Sequence, residues 1–269
     1  MKAMLNYLFI IVLCISTFKL SAQIRNNSLS DTILLHDRKE SDKKEYANNF
    51  LKINVASLIF KTYSLEYERV LNKKVSVLLT FKTMPESSLP FKNLLKEQFG
   101  EDDFTRNAIE NFRLSSFSLS PQVRFYLSKK GYGRGFYIAP FYNYSKFSIK
   151  KLPSQFKIDS SVLINIDNSG KFSSNTGGIL LGAQWMLSKR LSLDWSIAGP
   201  HYGSGKGNLI GISERDLTIQ EQQELKETWE NSSISGSIKS VSVSAKQSVI
   251  ELDGPWGGLK VGLSLGLRF

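Results

Sequence analysis

The chain has 269 residues, of which 41% are hydrophobic and 22% charged, so it is long enough for one large β domain or two smaller domains and too apolar for a disordered protein. Apart from a shorter stretch at the N-terminus, no run approaches 20 apolar residues, which excludes helical membrane spans. The formal net charge of +11 is a moderate basic excess.

Residues 1–22 have the pattern of a secretory signal peptide. Lys2 supplies the positive start, residues 8–18 (LFIIVLCISTF) supply the apolar core, and Ala22 is the small residue before a cleavage point. A short membrane anchor is the alternative, but the apolar run is too short for it. The only cysteine, Cys14, lies inside this segment, so export would leave a mature chain that has no disulfide.

Residues 23–48 are polar and charged without a clear period, and we interpret them as a flexible periplasmic leader. For an exported basic chain, outer-membrane lipids with anionic head groups are the expected partner, and nucleic acid is not. The remaining residues, 49–269, are the predicted folded domain.

Apolar and polar residues alternate in eight segments of this domain. Period-two alternation predicts strands whose two faces meet different environments. The eight predicted strands are residues 50–60, 62–71, 75–82, 116–127, 136–147, 178–187, 191–198 and 258–269.

The connections between these strands alternate in length, which favours a membrane barrel over a soluble sandwich. The short joins are residues 72–74, 128–135 and 188–190, and the long ones are 83–115, 148–177 and 199–256. Aromatic residues near the ends of the apolar faces, such as Tyr63 and Trp185, support the same interpretation. The predicted fold class is all-β: an eight-stranded antiparallel transmembrane β-barrel with long extracellular loops, some of them helical.

Charged residues of both signs occupy the polar faces, which a small barrel would turn inward. The predicted lumen charge network consists of Glu66, Glu68, Lys82, Arg124, Asp194 and Lys260. Lys52 and Arg268 lie on the same faces, and a turn at 72–74 sets Ser64 opposite Lys82. Because buried charges must pair, we expect a structural plug, and a narrow gated pore is the alternative.

Two of the long connections contain segments of amphipathic, helix-forming composition, residues 92–104 and 213–232. Ser213 is a candidate N-cap for the second segment. Residues 233–252 alternate again, which predicts that strands seven and eight continue beyond the membrane as a hairpin. We expect any recognition to lie in these outer segments, which could form a cap.

Residues 203–208 (GSGKGN) do not form a phosphate-binding loop, because Pro200 and Gly207 stand where that motif requires Gly and Ser or Thr. We interpret this stretch as the start of a flexible loop.

His201 and Ser204 raise the possibility of a lipid acyl hydrolase, but neither lies in a recognisable nucleophile motif. The second histidine, His36, is far from His201 in the sequence, and the mature chain would have no cysteine, so we expect no transition-metal site. No other motif suggests a cofactor or an enzymatic activity, and we expect neither.

The last predicted strand resembles the C-terminal strand of bacterial outer-membrane β-barrels, which finishes on an aromatic residue. The matching residues are Val261, Leu263, Leu265, Leu267 and Phe269. In those proteins the barrel-assembly machinery reads this signature. The resemblance therefore implies an assembly signal here, with that machinery as a partner during biogenesis.

A narrower resemblance covers about residues 49–269. The stretches KINVASLIFKTYSLEYERVL, GFYIAPFYNY, LDWSIAGPHYGSGKGN and DGPWGGLKVGLSLGLRF are similar to a family of small outer-membrane barrels known only as a domain of unknown function. The resemblance implies a fold and an outer-membrane location, and no activity.

The function that we expect is therefore a non-enzymatic surface protein, either structural or a binding and adhesion module with an unspecified extracellular partner. A narrow small-solute channel and a lipid-modifying enzyme are the two alternatives.

Overall fold

A computed structural model describes residues 48–100, 102–129, 131–158, 162–232 and 235–269 of the chain. The predicted signal peptide and the leader up to residue 47 lie outside these residues.

Nine strands and four α-helices form within the described ranges. The strands are β1 (Asn49–Asn54), β2 (Tyr63–Val70), β3 (Val75–Ser87), β4 (Arg113–Tyr126), β5 (Gly135–Ile158), β6 (Val162–Met186), β7 (Leu191–Ser213), β8 (Ile238–Val243) and β9 (Gln247–Arg268). The helices are α1 (Val55–Leu58), α2 (Lys92–Phe99), α3 (Asp103–Asn111) and α4 (Ile219–Glu230).

The fold is one antiparallel sheet whose hydrogen bonds close in a ring through eight strands. The order around the ring is β1-β2-β3-β4-β5-β6-β7-β9, and β9 closes it by pairing with β1. The predicted register at the 72–74 turn is confirmed, since Ser64 pairs with Lys82. The ninth strand, β8, pairs with β9 beyond the segment that contacts β1.

Alternation along each ring strand separates the two faces of the sheet. In β2, Tyr63, Leu65 and Tyr67 are 42–60% exposed on the outside, whereas Glu66 and Glu68 are at most 6% exposed on the inside. The polar residues therefore face the interior of the ring and the apolar residues face outward.

The prediction of a long loop at residues 148–177 is wrong, because β5 and β6 continue pairing through it. Ser148 pairs with Lys171 and Phe156 pairs with Ile164, so the two strands reach 24 and 25 residues. Polar residues lie on both faces in the middle of this segment, so the sequence lacks the contrast between faces that marks a strand. The backbone hydrogen bonds that pair the two strands form whether or not the side chains of the two faces differ.

Within the predicted long connection 199–256, strands seven and eight continue outward as predicted, since β7 reaches Ser213 and β9 begins at Gln247. The interpretation of residues 203–208 as the start of a flexible loop is wrong. Residues 203–208 lie inside β7, where Ser204 pairs with Asn175 of β6 on one side and Pro255 of β9 on the other. Closely packed neighbours explain the glycines here, since a Cβ on Gly203 would lie 2.0 Å from the Asn175 carbonyl oxygen. Close strand packing, and not loop flexibility, accounts for the small residues.

Two helix boundaries differ from the predictions. The first strand ends at Asn54 and not at residue 60, because the Asn54 side chain accepts a hydrogen bond from the Ser57 amide and caps α1. Ser213 ends β7 and is not a helix cap. The cap of α4 is Thr218, which forms a capping box with Glu221.

The long strands β5, β6, β7 and β9 extend beyond the closed ring, and an apolar core lies on the extended part of the sheet. Leu225 and Trp229 of α4 pack with Leu217 on the inner face of the extended sheet. The strand residues of this core are Phe156, Ile164, Ile166, Leu209 and Ile250. A smaller core beneath α3 contains Leu89, Ile109 and Phe112. No helix in the described part of the chain is long and apolar enough to span a membrane.

Candidate functional site

Four charged side chains meet inside the ring, on the half next to the short turns. Lys52 Nζ lies 2.5 Å from Glu68 Oε2 and 2.5 Å from Asp194 Oδ2. Arg124 Nη1 lies 2.5 Å from the same Asp194 oxygen and 3.4 Å from the same Glu68 oxygen. All four side chains are at most 1% exposed, so two cations and two carboxylates balance each other out of contact with water. We call these four residues the charge cluster.

Neutral side chains complete the hydrogen bonds of the charge cluster. The Tyr126 hydroxyl donates to Glu68 Oε1 at 2.6 Å, and the Tyr137 hydroxyl donates to Asp194 Oδ1 at 2.8 Å. Gln184 Oε1 accepts from Lys52 Nζ at 2.6 Å and from Arg124 Nη1 at 3.1 Å. The carboxylates therefore have the partners that a buried ion network requires.

Seven consecutive strands, β1 to β7, contribute polar side chains to the charge cluster and its neutral partners. The eighth strand of the ring, β9, contributes a glycine that makes room for Lys52. Ser76 of β3 donates to Glu68 Oε1. Gly266 of β9 faces Lys52, and a Cβ at Gly266 would lie 2.7 Å from Lys52 Cγ. The glycine in the alternating last strand thus leaves room for the Lys52 stem.

A second group of inward polar side chains, which we call the second polar level, lies further from the short turns and contains Glu66, Lys82 and Lys260. Lys260 Nζ donates to Ser120 Oγ at 3.0 Å, and Ser264 Oγ donates to Glu66 Oε1 at 3.2 Å. Lys82 and Lys260 both interact electrostatically with Glu66. No ion pair within 4.0 Å joins either lysine to a carboxylate of the described residues.

The structure therefore divides the predicted lumen network into two groups. Glu68, Arg124 and Asp194 meet in the charge cluster, with Lys52 at its centre. Glu66, Lys82 and Lys260 lie together on the second level. Arg268 is buried at the end of β9, with its guanidinium 5.3 Å from the Phe50 ring centre.

Sequence reasoning missed Tyr126, Tyr137 and Gln184. Tyr126 follows Arg124 by two residues and Gln184 lies on a polar face, so both carried the signal of an inward position. Tyr137 carried no such signal, because its segment has aromatic residues on both faces.

His201 and Ser204 lie on opposite faces of β7. Three positions separate them in a regular strand, so the His201 side chain is half-buried inside and Ser204 is exposed outside. His201 packs its ring edge-on against Phe141 at 5.9 Å, and its Nδ1 has no hydrogen-bond partner in the described structure. In the same residues, no group of three histidine, cysteine or acidic side chains could hold a metal ion.

The residues of the predicted assembly signal line the outside of β9. Leu263, Leu265 and Leu267 are 37%, 40% and 53% exposed, and Phe269 beyond the strand is 56% exposed. Val261 on the same face is partly buried.

Salt bridges outside the ring stabilise the helical segments. Arg215 Nη2 lies 2.5 Å from Glu221 Oε1 and, with the Thr218 amide, lowers the pKa of Glu221 to about 2. Hydrogen bonds from Lys92 and Lys96 of α2 likewise lower the pKa of Glu110 of α3 to about 2. Both carboxylates belong to surface contacts, which are modest in energy.

The chain matches the protein family described as "Protein of unknown function (DUF3575)" over residues 8–224, which is most of its length. No curated protein matches the chain.

Proposed function

The chain belongs to the DUF3575 family, whose description assigns no activity, and we propose that this member is an integral outer-membrane β-barrel of non-enzymatic type. In this proposal the barrel holds a rigid extension outside the membrane, and that extension is the binding or adhesive surface. The observation that carries the proposal is the opposite chemistry of the two faces of the closed ring.

The outer face of the ring is a belt of large apolar side chains. They include Leu51, Ile53, Leu65, Tyr67, Leu79, Phe81, Leu119, Val123, Ile138, Leu181, Trp195 and Leu265, each at least 37% exposed. Soluble monomers rarely expose continuous apolar patches above a few hundred Å². A lipid bilayer would cover this belt, and ring closure would satisfy the backbone groups that lipid cannot.

The buried charge cluster supports a surface protein over a small-solute channel. Any path through the ring would have to separate the ion pairs of Lys52 and Arg124 with Glu68 and Asp194, which are out of contact with water. Breaking such pairs leaves uncompensated buried charge and is strongly unfavourable.

A lipid-modifying enzyme is the less favoured candidate for a separate reason. The His201 side chain points to the inner face of the sheet and the Ser204 side chain to its outer face, so no proton can pass directly between them in this arrangement.

The extension supports a role in recognition. Beyond the pairing of Lys151 with Arg113, the sheet continues through β5, β6, β7 and β9, and α4 packs on its inner face. Leu225 is 1% exposed and Trp229 is 5% exposed, and burying side chains of this size contributes about 1.5–3 kcal/mol each. The extension is therefore an ordered surface on which a partner can be bound without a large ordering cost.

Expression of the full chain in a Gram-negative host tests the proposal. We expect the protein to resist carbonate extraction, to migrate faster on a detergent gel before boiling than after it, and to give no conductance steps in planar bilayers. Leu79→Lys in the belt should reduce the membrane-inserted fraction, whereas Asn208→Lys on the exposed extension should not. A protein that stays monomeric in buffer without detergent, or that conducts ions, would refute the respective part of the proposal.

A further inference from the structure

The second polar level of the ring has an unbalanced charge. The charge cluster contains two cations and two carboxylates, whereas the second level contains Lys82 and Lys260 but only Glu66. The two lysines also repel each other. One positive charge on this level therefore has no carboxylate to balance it among the described residues.

Hydrogen-bond donors on the same level are also without partners. Within the described residues, the hydroxyls of Ser64 and Thr80 have no hydrogen-bond partner. Ser64 and Thr80 are each only 3% exposed, so water outside the ring does not explain their hydroxyls. Buried polar groups are almost always satisfied, which points to a missing partner.

The register brings these groups to one patch of the inner wall. Ser64 lies opposite Lys82, and Thr80 lies opposite Glu66 on one side and Ser120 on the other. Ser120 in turn accepts a hydrogen bond from Lys260 Nζ. Two ammonium groups and two free hydroxyls thus converge from β2, β3 and β9.

The patch is less enclosed than the charge cluster. Lys82, Lys260, His201 and Gly258 are partly exposed, unlike the charge cluster beneath them. Gly258 adds no side chain there, and its nearest neighbour would be His201 Nε2, 3.0 Å from a Cβ at that position. Small ions from solvent therefore have more access to the patch than to the charge cluster.

We infer that the second polar level binds one small oxyanion between Lys82 and Lys260, with the hydroxyls of Ser64 and Thr80 as additional donors. A single negative charge restores neutrality, and its oxygens accept the hydrogen bonds that these groups leave unmade. Lipid head groups cannot reach this position past the strands of the ring, so the ligand is a free anion. The inference uses only the interior and does not depend on where the protein is located.

Calorimetric titration with inorganic phosphate tests the inference directly. The full chain, folded in micelles of an uncharged detergent, is titrated at constant ionic strength set by a bulky sulfonate. We expect saturable binding of one phosphate per chain at millimolar concentration or below. Lys82→Met and Lys260→Met should each raise Kd at least tenfold, and Lys171→Met, an exposed lysine of β6, should leave it unchanged.

Thr80→Val keeps the test decisive if a lysine variant fails to fold. Valine has nearly the same shape and removes a hydroxyl that has no partner, so without phosphate the variant should be as stable as the parent or more so. Its phosphate affinity should nevertheless fall several-fold. Absence of saturable binding to the parent chain, or an affinity that Thr80→Val and both lysine variants leave unchanged, would overturn the inference.

Discussion

At the scale of single residues, the interior is organised around Lys52. Its ammonium group has three buried acceptors, on Glu68, Gln184 and Asp194, at 2.5–2.6 Å. Removing it leaves Arg124 alone with two carboxylates. Loss of one member of a buried ion network is far more damaging than loss of a surface pair.

We therefore expect Lys52→Met to lower the free energy of unfolding by about 3–5 kcal/mol, because it leaves a buried negative charge without a partner. Urea unfolding of the micelle-bound protein, followed by the loss of the fast-migrating gel band, measures this difference. Lys189→Met in the exposed turn before β7 is the matched control and should change stability by less than about 0.5 kcal/mol. Equal stability of the two variants would mean that the network contributes little.

Alternation in the sequence was enough to predict that Glu68, Arg124 and Asp194 face one interior. It could not predict that Glu66, Lys82 and Lys260 stand apart from them, because alternation assigns a face and not a depth. The sequence also could not predict that Lys52 packs over Gly266. That contact forms only when β9 pairs with β1 and closes the ring, and no local pattern predicts this pairing.

At the scale of elements, α4 shows how a surface helix is held on the sheet. Leu225 and Trp229 attach it to the inner face, and the capping box with the Arg215–Glu221 pair fixes its first turn. The helix was predicted within residues 213–232, but its start was misplaced because Ser213 belongs to the pairing of β7 with β6. Residues 148–177 were mispredicted as a loop because strand pairing there depends on the neighbouring strands and not on contrast between faces.

The first turn of α4 should weaken at low pH. The pKa of Glu221 falls from an ordinary value of 4.5 to about 2 in the folded protein, so its stabilising effect is complete above pH 4.5 and is lost as pH falls toward 2. Glu221→Gln lacks this contribution at every pH. Hydrogen exchange of the α4 amides, compared between parent and variant at equal pH, should show stronger protection in the parent at pH 6.

That difference in α4 protection should disappear as pH approaches 2. Glu230→Gln, at the other end of the same helix, is the control, because the 3.9 Å pair of Glu230 with Lys226 is exposed. A parent and Glu221→Gln variant with the same protection at pH 6 would show that this pair does not hold the helix.

At the scale of the whole molecule, the eight alternating segments correctly anticipated a closed, mostly β structure. The alternation in residues 233–252 predicted that strands seven and eight continue outward, and β7 and β9 do so, but β8 as a separate ninth strand was not predicted. The strand character of residues 199–213 was missed because five of these fifteen residues are glycine, which is depleted in strands. The resulting molecule has a closed ring with a charged centre, and an extended sheet with its own apolar core.

We propose that lipid covers the outside of the ring and that water covers the extension. The most direct measurement is quenching of an environment-sensitive fluorophore at two exposed positions, Leu79→Cys on the ring and Asn208→Cys on the extension, each in a Cys14→Ser background. In lipid vesicles, we predict that a quencher on the acyl chains acts at position 79 and aqueous iodide acts at position 208. Iodide quenching of equal strength at both positions of the folded protein would contradict the account.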